Sequence, residues 1–365
     1  MKKIYLAVAF EREYIQHFTV LLNSLIENNR SLNTYEIYIL HSDLTKEDFE
    51  LLNLFKDEYI YFNFFDMTIF DFSNVFISGH ISKETYYRIL LAEIIPPNID
   101  KVLYLDCDIV INEDLEEIWN FELNGYSAAG VIDFNGHHRK IELEIPDAYK
   151  YINAGVLLIN LYYWREKNVE NEILQFINNN TEKLMYWDQD AINAVLYHSL
   201  RILPYKWNVQ NSSFTINNVS GELAEAKISP AIIHFTGSVK PWHISCSNPF
   251  QNLYYKYLDL EIFSANKISV QTEKLLNTKK DIYIWGAGQT GRKVLDYLQI
   301  EIEAFIDSDK SKINSYLLGK PIISIETIPN KKDSGIIICS GFYKEIRDIL
   351  VGFGYVEYKD FTYQL

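Results

Sequence analysis

Two carboxylates close an apolar run in Lys101-Val-Leu-Tyr-Leu-Asp106-Cys107-Asp108-Ile-Val110. In an extended chain, side chains at i and i+2 point to the same side. The carboxyl ends of strands are also where open α/β sheets bind ligands. Oxygen donors of this kind suit Mg²⁺ or Mn²⁺ bridging to a diphosphate. A second segment, His234-Phe-Thr-Gly237-Ser-Val-Lys240-Pro241-Trp242, follows the apolar strand Ala231 to Ile233. Imidazole is a borderline ligand that favours Mn²⁺ over Mg²⁺. Gly237 would let backbone approach a phosphate, and Lys240 would offer it a point charge. Each feature has a bland alternative: Asp-x-Asp is common by chance, and a lone histidine is more often a hydrogen-bonded structural residue.

Taken together, five ordered segments resemble glycosyltransferase family 8, which includes bacterial lipopolysaccharide galactosyl- and glucosyltransferases and glycogenin. They are Thr85-Tyr-Tyr-Arg88, Asp106-Cys107-Asp108, Asn153-Ala-Gly-Val-Leu-Leu-Ile-Asn160, Asp188-Gln189-Asp190 and His234 to Trp242, and the likeness spans roughly residues 1 to 260. The resemblance implies a GT-A fold and retaining transfer of galactose or glucose from a UDP-sugar to a glycan or glycoprotein acceptor. It implies Mn²⁺, with Mg²⁺ as the substitute, held by Asp106, Asp108 and His234. Cys107 lies inside that motif, and Gly237 and Lys240 would contact the diphosphate. Arg88, Asn153, Ala154, Asp188 and Gln189 match positions around the donor sugar. Asp188 would anchor sugar hydroxyls and Gln189 would sit under the anomeric carbon. Its amide is a poor nucleophile, so same-face attack is expected rather than a covalent intermediate. Asp133 matches a sugar-pocket carboxylate, and His80 in Gly79-His-Ile-Ser82 resembles a position near the acceptor.

The family usually carries Ala-x-Asp-x-x-Tyr after its first strand, and here the segment is Ala9-Phe10-Glu11-Arg12-Glu13-Tyr14. Glu11 keeps the carboxylate for uridine with one more methylene, and Tyr14 is retained for stacking on the base. Structural duties compete at several positions. Asp188-Gln189-Asp190 also fits a helix N-terminus, where acidic residues are favoured. Asn153-Ala-Gly155 is ordinary turn chemistry, and Arg88 could pair with Glu84 or Glu93 on its own helix.

The elements needed to position these residues are visible in the pattern. Ile4 to Ala9, Glu36 to Leu40, Tyr59 to Phe64, Val102 to Leu105 and Ala128 to Ile132 read as strands. Helix-period segments lie at 15 to 28, 45 to 54 and 82 to 94, with Thr45 and Asp48 as a helix start. Strand–helix alternation implies a mainly parallel sheet covered by helices. Ala154 to Ile159 adds a strand and Asp188 to His198 a helix, while residues 208 to 220 and 243 to 250 are polar loops suited to acceptor recognition.

A catalytic domain over 1–265, a Lys-rich linker over 266–280 and a small Rossmann-like domain over 281–365 are expected. In the last, a strand from Asp281 runs into Gly286-Ala-Gly-Gln-Thr-Gly291 and a helix to Leu298, with further strands at Glu303 to Ile306, Ile336 to Cys339 and Tyr355 to Tyr358. A glycine-rich turn opening a helix can bind NAD or another nucleotide, or it can serve structure and oligomerisation. The absence of a catalytic Tyr-x-x-x-Lys pair counts against an NAD-dependent oxidoreductase. A non-catalytic sugar-nucleotide-binding subunit is the remaining alternative.

A net charge of −15 argues against nucleic-acid binding, because no basic patch is present to neutralise phosphates. An acidic protein that handles a nucleotide needs a bound cation and a few local bases. Three scattered cysteines, Cys107, Cys246 and Cys339, read as reduced thiols. No run approaches a membrane span, so a cytoplasmic protein with at most peripheral contact at the inner membrane face is expected.

Overall fold

The computed structural model describes residues 2–70, 83–217, 220–243, 246–259, 262, 270–340, 342–357 and 359–363. The chain forms two compact units, Met1–Thr236 with Lys256–Asp259, and Gly237–Tyr255 with Leu260–Leu365. Among the described residues no helix is long and apolar enough to cross a membrane.

Among the described residues the first unit holds ten strands: β1 (Lys3–Ala9), β2 (Thr34–His41), β3 (Ile60–Asp66), β4 (Lys101–Leu105), β5 (Ile109–Ile111), β6 (Ala128–Ile132), β7 (Ile152–Asn160), β8 (Leu200–Ile202), β9 (Val209–Gln210) and β10 (Ile232–His234). Seven form a mixed sheet in the order β3-β2-β1-β4-β7-β6-β8. β1 runs parallel to β2 and β4, while β7 is antiparallel to both β4 and β6. β7 is buried from Ile152 to Ile159, as expected for a central strand covered on both faces. The helix Ile15–Asn28 buries Phe18, Leu21, Leu22 and Leu25, the spacing of one helical face. Each such side chain contributes about 1.5–3 kcal/mol on burial. The helix Lys46–Asn53 starts as expected, Thr45 donating through its backbone N and its hydroxyl to Asp48, both at 2.8 Å.

Two expectations are corrected. The segment anticipated as a helix from 82 is a 3-10 helix over Lys83–Leu90 and turns α-helical only at Leu91–Ile94. The 3-10 turn stacks i over i+3, which sets Arg88 above Thr85, whose carbonyl accepts from Arg88 Nε at 3.0 Å. The final strand is Phe361–Tyr363 rather than 355–358. Tyr355 is buried against Tyr283, Trp285 and other apolar residues of that unit, and its position in the sheet ladder is taken by Phe361, which pairs with Ile336.

The second unit carries a six-stranded sheet of β11 (Asp281–Trp285), β12 (Ala304–Ile306), β13 (Tyr316–Leu317), β14 (Lys320–Ile323), β15 (Ser334–Ile338) and β16 (Phe361–Tyr363), in the order β13-β14-β12-β11-β15-β16. All pairings except β13 with β14 are parallel. At the glycine-rich turn, a Cβ on Gly291 would stand 2.0 Å from the Gly286 carbonyl oxygen. Asp307 folds over this turn: its carboxylate accepts from Ala287 N at 3.1 Å and pairs with Lys312 at 2.9 Å.

Candidate active site

Asp106 and Asp108 flank the gap between β4 and β5. The β1–β4 register pairs Ala7 with Tyr104, so Ala9 ends its strand level with Asp106. Asp106 N donates to the Gly155 carbonyl at 2.8 Å, which ties the first carboxylate to β7. The second tie is a small sheet in which β10 lies between β5 and β9. There His234 pairs with Ile109, and Phe235 N donates to the Asp108 carbonyl at 3.0 Å. This register sets His234 Nε2 at 3.2 Å from Asp108 Oδ1 and 3.6 Å from Asp106 Oδ2. One ligand atom from each of the three residues lies within 4.8 Å of the others. A Cβ on Gly155 would stand 2.2 Å from His234 Cε1 and 2.5 Å from Asp106 Oδ2, so the missing side chain leaves the space in which the three groups converge. Two carboxylates and an imidazole facing one point are a donor set that fits a divalent cation, and the nitrogen suits Mn²⁺ better than Mg²⁺.

Arg88 is the counter-charge behind this group. It is buried, with Nη1 3.3 Å from Asp106 Oδ1 and Nε 2.8 Å from Asp188 Oδ2. Nη1 also donates to the Ala154 carbonyl at 2.6 Å, and the guanidinium lies 4.5 Å from the centre of the Tyr104 ring. Its ion-pair partners are thus Asp106 and Asp188 across the site, rather than carboxylates of its own helix. Burial opposes the Arg88 charge, but the carboxylates of Asp106 and Asp188 outweigh it and hold the pKa above the ordinary arginine value. Burial raises the Asp188 carboxyl to about 7, against the pull of Arg88 and with the help of Asp106. The 2.8 Å contact to Arg88 is ionic only, since the Nε hydrogen points to Thr85 O; Asp188 Oδ2 accepts no hydrogen bond among the described residues. Trp187, just before it, has φ +46, a strained conformation of the kind that gathers at functional sites.

Gln189 has its amide fully engaged. Nε2 donates to Asp133 Oδ2 at 3.0 Å and Tyr151 Oη at 3.2 Å, and Oε1 accepts from Asn153 Nδ2 and Ala154 N, both at 3.0 Å. Asp133 is buried, its other oxygen accepting from Asn135 N and Gly136 N. Asp190 is purely structural. It accepts from Tyr151 Oη at 2.6 Å, from Met185 N and Tyr186 N, and from the Arg139 guanidinium. The helix-start reading of Asp188-Gln189-Asp190 therefore holds at Asp190, which binds the backbone just before the helix.

The remaining anticipated residues are placed less tightly. The buried Cys107 thiol points to the Ala9 carbonyl at 3.9 Å, and burial pushes its pKa up. Glu11 immediately precedes the 3-10 turn Arg12–Tyr14, and Tyr14 packs edge-on against His17. Gly237 and Lys240 belong to the second unit, where Gly237 has φ +82 and Lys240 N donates to His243 Nδ1 at 3.1 Å. His80 lies outside the described residues. The loop from 208, anticipated for acceptor recognition, is corrected at its start: Asn208, Gln210 and Ser213 are 1–2% exposed. Asn208 is the site residue missed, holding His234 Nδ1 at 3.0 Å through Oδ1 and Asn153 Oδ1 at 2.9 Å through Nδ2. A single asparagine in a polar loop carries no periodic or motif signal that could have revealed it.

The chain is also similar to known proteins. Residues 5–246 match the sequence profile of glycosyl transferase family 8, and residues 278–361 match one described as C2185-like, N-terminal. General stress protein A of Bacillus subtilis is 28% identical over 255 residues, 67% of this chain and 89% of that protein. A lipopolysaccharide 1,2-glucosyltransferase of Escherichia coli is 29% identical over 63% of this chain and 72% of its own. The crystal structure of the galactosyltransferase LgtC with donor and acceptor sugar analogues superposes with a TM-score of 0.62 at 22% identity, covering 71% of this chain and 95% of that one. With its mixed sheet, and with a profile match over most of its length, the chain belongs to glycosyl transferase family 8 and is a glycosyltransferase of the GT-A fold.

Proposed function

We propose that this glycosyltransferase moves galactose or glucose from a UDP-sugar, with retention and with Mn²⁺, to a glycan or glycoprotein acceptor of a bacterial surface. The observation that carries the reading is the convergence of Asp106, Asp108 and His234 in the space left by Gly155. When bound there, a divalent cation stabilises charge on the departing diphosphate. Arg88 offsets the charge of Asp106 before the cation arrives. Asp188 Oδ2, buried without a hydrogen-bond donor, is suited to accept from a sugar hydroxyl. Glu11 and Tyr14 would take the uracil, and Asp133 and His80 would serve the sugar and acceptor side.

In the transfer, the anomeric carbon–oxygen bond to UDP breaks and a bond to the acceptor oxygen forms on the same face. The acceptor hydroxyl proton leaves on the departing diphosphate oxygen. The engaged amide of Gln189 favours this route over attack by the side chain, because a nucleophilic oxygen would first have to release Asn153 and Ala154. The names of relatives, a lipopolysaccharide glucosyltransferase and a galactosyltransferase, support the two candidate hexoses.

The test is UDP release from a panel of UDP-sugars with Mn²⁺, Mg²⁺ or chelator, with the product anomer read by NMR. Release from UDP-galactose or UDP-glucose that chelator abolishes and Mn²⁺ restores is expected. Chelator-resistant turnover, or an inverted product, would overturn the reading.

A further inference from the structure

The hydrogen bonds behind His234 have a fixed direction, and it follows from groups whose roles are not adjustable. Backbone N–H groups only donate and carboxylates only accept when ionised. Ala154 N donates to Gln189 Oε1 and Gly155 N donates to Asn153 Oδ1, each at 3.0 Å. Both oxygens are thereby defined, and amide flips are excluded without seeing a hydrogen. Asn153 Nδ2 must then donate to Gln189 Oε1, and Gln189 Nε2 to Asp133 and Tyr151. Tyr151 passes its own hydrogen to Asp190. On the other side, the Asn208 atom 2.9 Å from Asn153 Oδ1 has to be the donor, Nδ2. That leaves Asn208 Oδ1 facing His234 Nδ1 at 3.0 Å.

From this we infer that Asn208 is a positioning residue for metal capture. It keeps a hydrogen on His234 Nδ1, and so leaves Nε2, 3.2 Å from Asp108 Oδ1, as the nitrogen that a cation between Asp106 and Asp108 would take. The signal originates in two backbone amides of β7 and reaches the imidazole through Asn153 and Asn208. His234 and Asn208 are 3% and 1% exposed, so water does not offer Nδ1 a substitute acceptor. A metal-binding histidine whose other nitrogen is held in this way keeps its ring orientation and basicity, and loss of the partner typically weakens binding. The inference rests on the proposed reading of Asp106, Asp108 and His234 as a cation site.

Two measurements on the full-length protein test it. The first is the ¹⁵N spectrum of the imidazoles in metal-free protein, at a pH alkaline enough to leave one ring proton. His234 is assigned by the signal lost in His234→Gln. A pyrrole-type Nδ1 and a pyridine-type Nε2 are expected in the wild type and in Asn208→Asp, which keeps the acceptor for Nδ1 and gives up only the donor to Asn153 Oδ1. In Asn208→Leu both tautomers should appear. The second is Mn²⁺ affinity without nucleotide, by electron paramagnetic resonance. Asn208→Leu should bind about 10–100-fold more weakly and Asn208→Asp within a few-fold of wild type. A wild-type His234 protonated on Nε2 overturns the inference whatever the variants do, including a variant that fails to fold. Equal Mn²⁺ affinity in wild type and a folded Asn208→Leu overturns it as well. Wild type that carries the Nδ1 proton yet takes up no Mn²⁺ or Mg²⁺ would instead sink the metal reading and, with it, the purpose assigned to Asn208.

Discussion

Asp106 sits between two kinds of partner, Arg88 and Tyr104 behind it and His234 beside it. Replacing it by Ala removes a proposed metal ligand but leaves Arg88 paired with Asp188, so the fold has a reason to survive. Asp106→Ala is expected to lower UDP release by about 10²–10³-fold or more, with a melting temperature close to wild type. The size of that loss is read from initial rates at saturating donor. Gly155→Ala reaches the same site by crowding. Its new methyl would collide with His234 Cε1 and Asp106 Oδ2, and Mn²⁺ affinity measured by calorimetry should fall about 10–100-fold. At this scale the sequence was informative where chemistry is concentrated in a short motif. Asp106, Asp108 and His234 stood out by type and by strand-end position. Asn208 did not, because its role depends on the direction of three hydrogen bonds among residues up to 55 positions away.

Elements show the same division. The helix Ile15–Asn28 and the strand Ala128–Ile132 were legible because a single face or a full apolar run defines them. The 3-10 stretch Lys83–Leu90 was not, because its apolar spacing fits a 3.6-residue period while its pairing of Arg88 with Asp188 and Asp106 depends on residues distant in sequence. Arg139 and Asp190 join the segment after β6 to the start of the helix Trp187–Leu196 through a pair that is 1% and 0% exposed. Removing one member of a buried pair strands the other charge, so Asp190→Ala should cost about 3–5 kcal/mol in urea unfolding. A carboxyl–carboxyl contact gives the opposite sign. Glu170, on the helix Val169–Asn179, is raised to about 7 by burial and by Glu93, with which it shares a hydrogen bond. Its folded pKa lies above the unfolded value, so it costs no stability at pH 4, and the penalty grows as pH rises from about 4.5 to 7. Glu170→Gln should therefore leave melting unchanged at pH 4 and stabilise by about 1–2 kcal/mol at pH 8, a figure discounted for solvent at this half-buried site.

For the whole molecule, two units with separate cores predict separable unfolding. The proposed cation ligands all belong to the first unit. Mn²⁺ at a hundred times its dissociation constant should add about 2.7 kcal/mol to that unit alone. Scanning calorimetry should show one transition moving up with Mn²⁺ while the other stays in place; both moving together would contradict it. The sequence marks a restart of strand–helix alternation at Asp281, whereas Gly237–Tyr255 also belongs to the second unit. Nothing in the composition of that stretch marks it off from the segment preceding it.

The small sheet that seats His234 against Ile109 also imposes an order in time. His234 follows Asp108 by 126 residues, and a chain grows at about 5–20 residues per second during synthesis. For roughly 6–25 s after Asp108 is made, the carboxylates exist and their nitrogen partner does not. On the proposed reading, the nascent chain has only a weak two-oxygen site at that stage. Tight cation loading then follows the arrival of β10, and a ribosome stalled before residue 234 would present a chain with only that weak site.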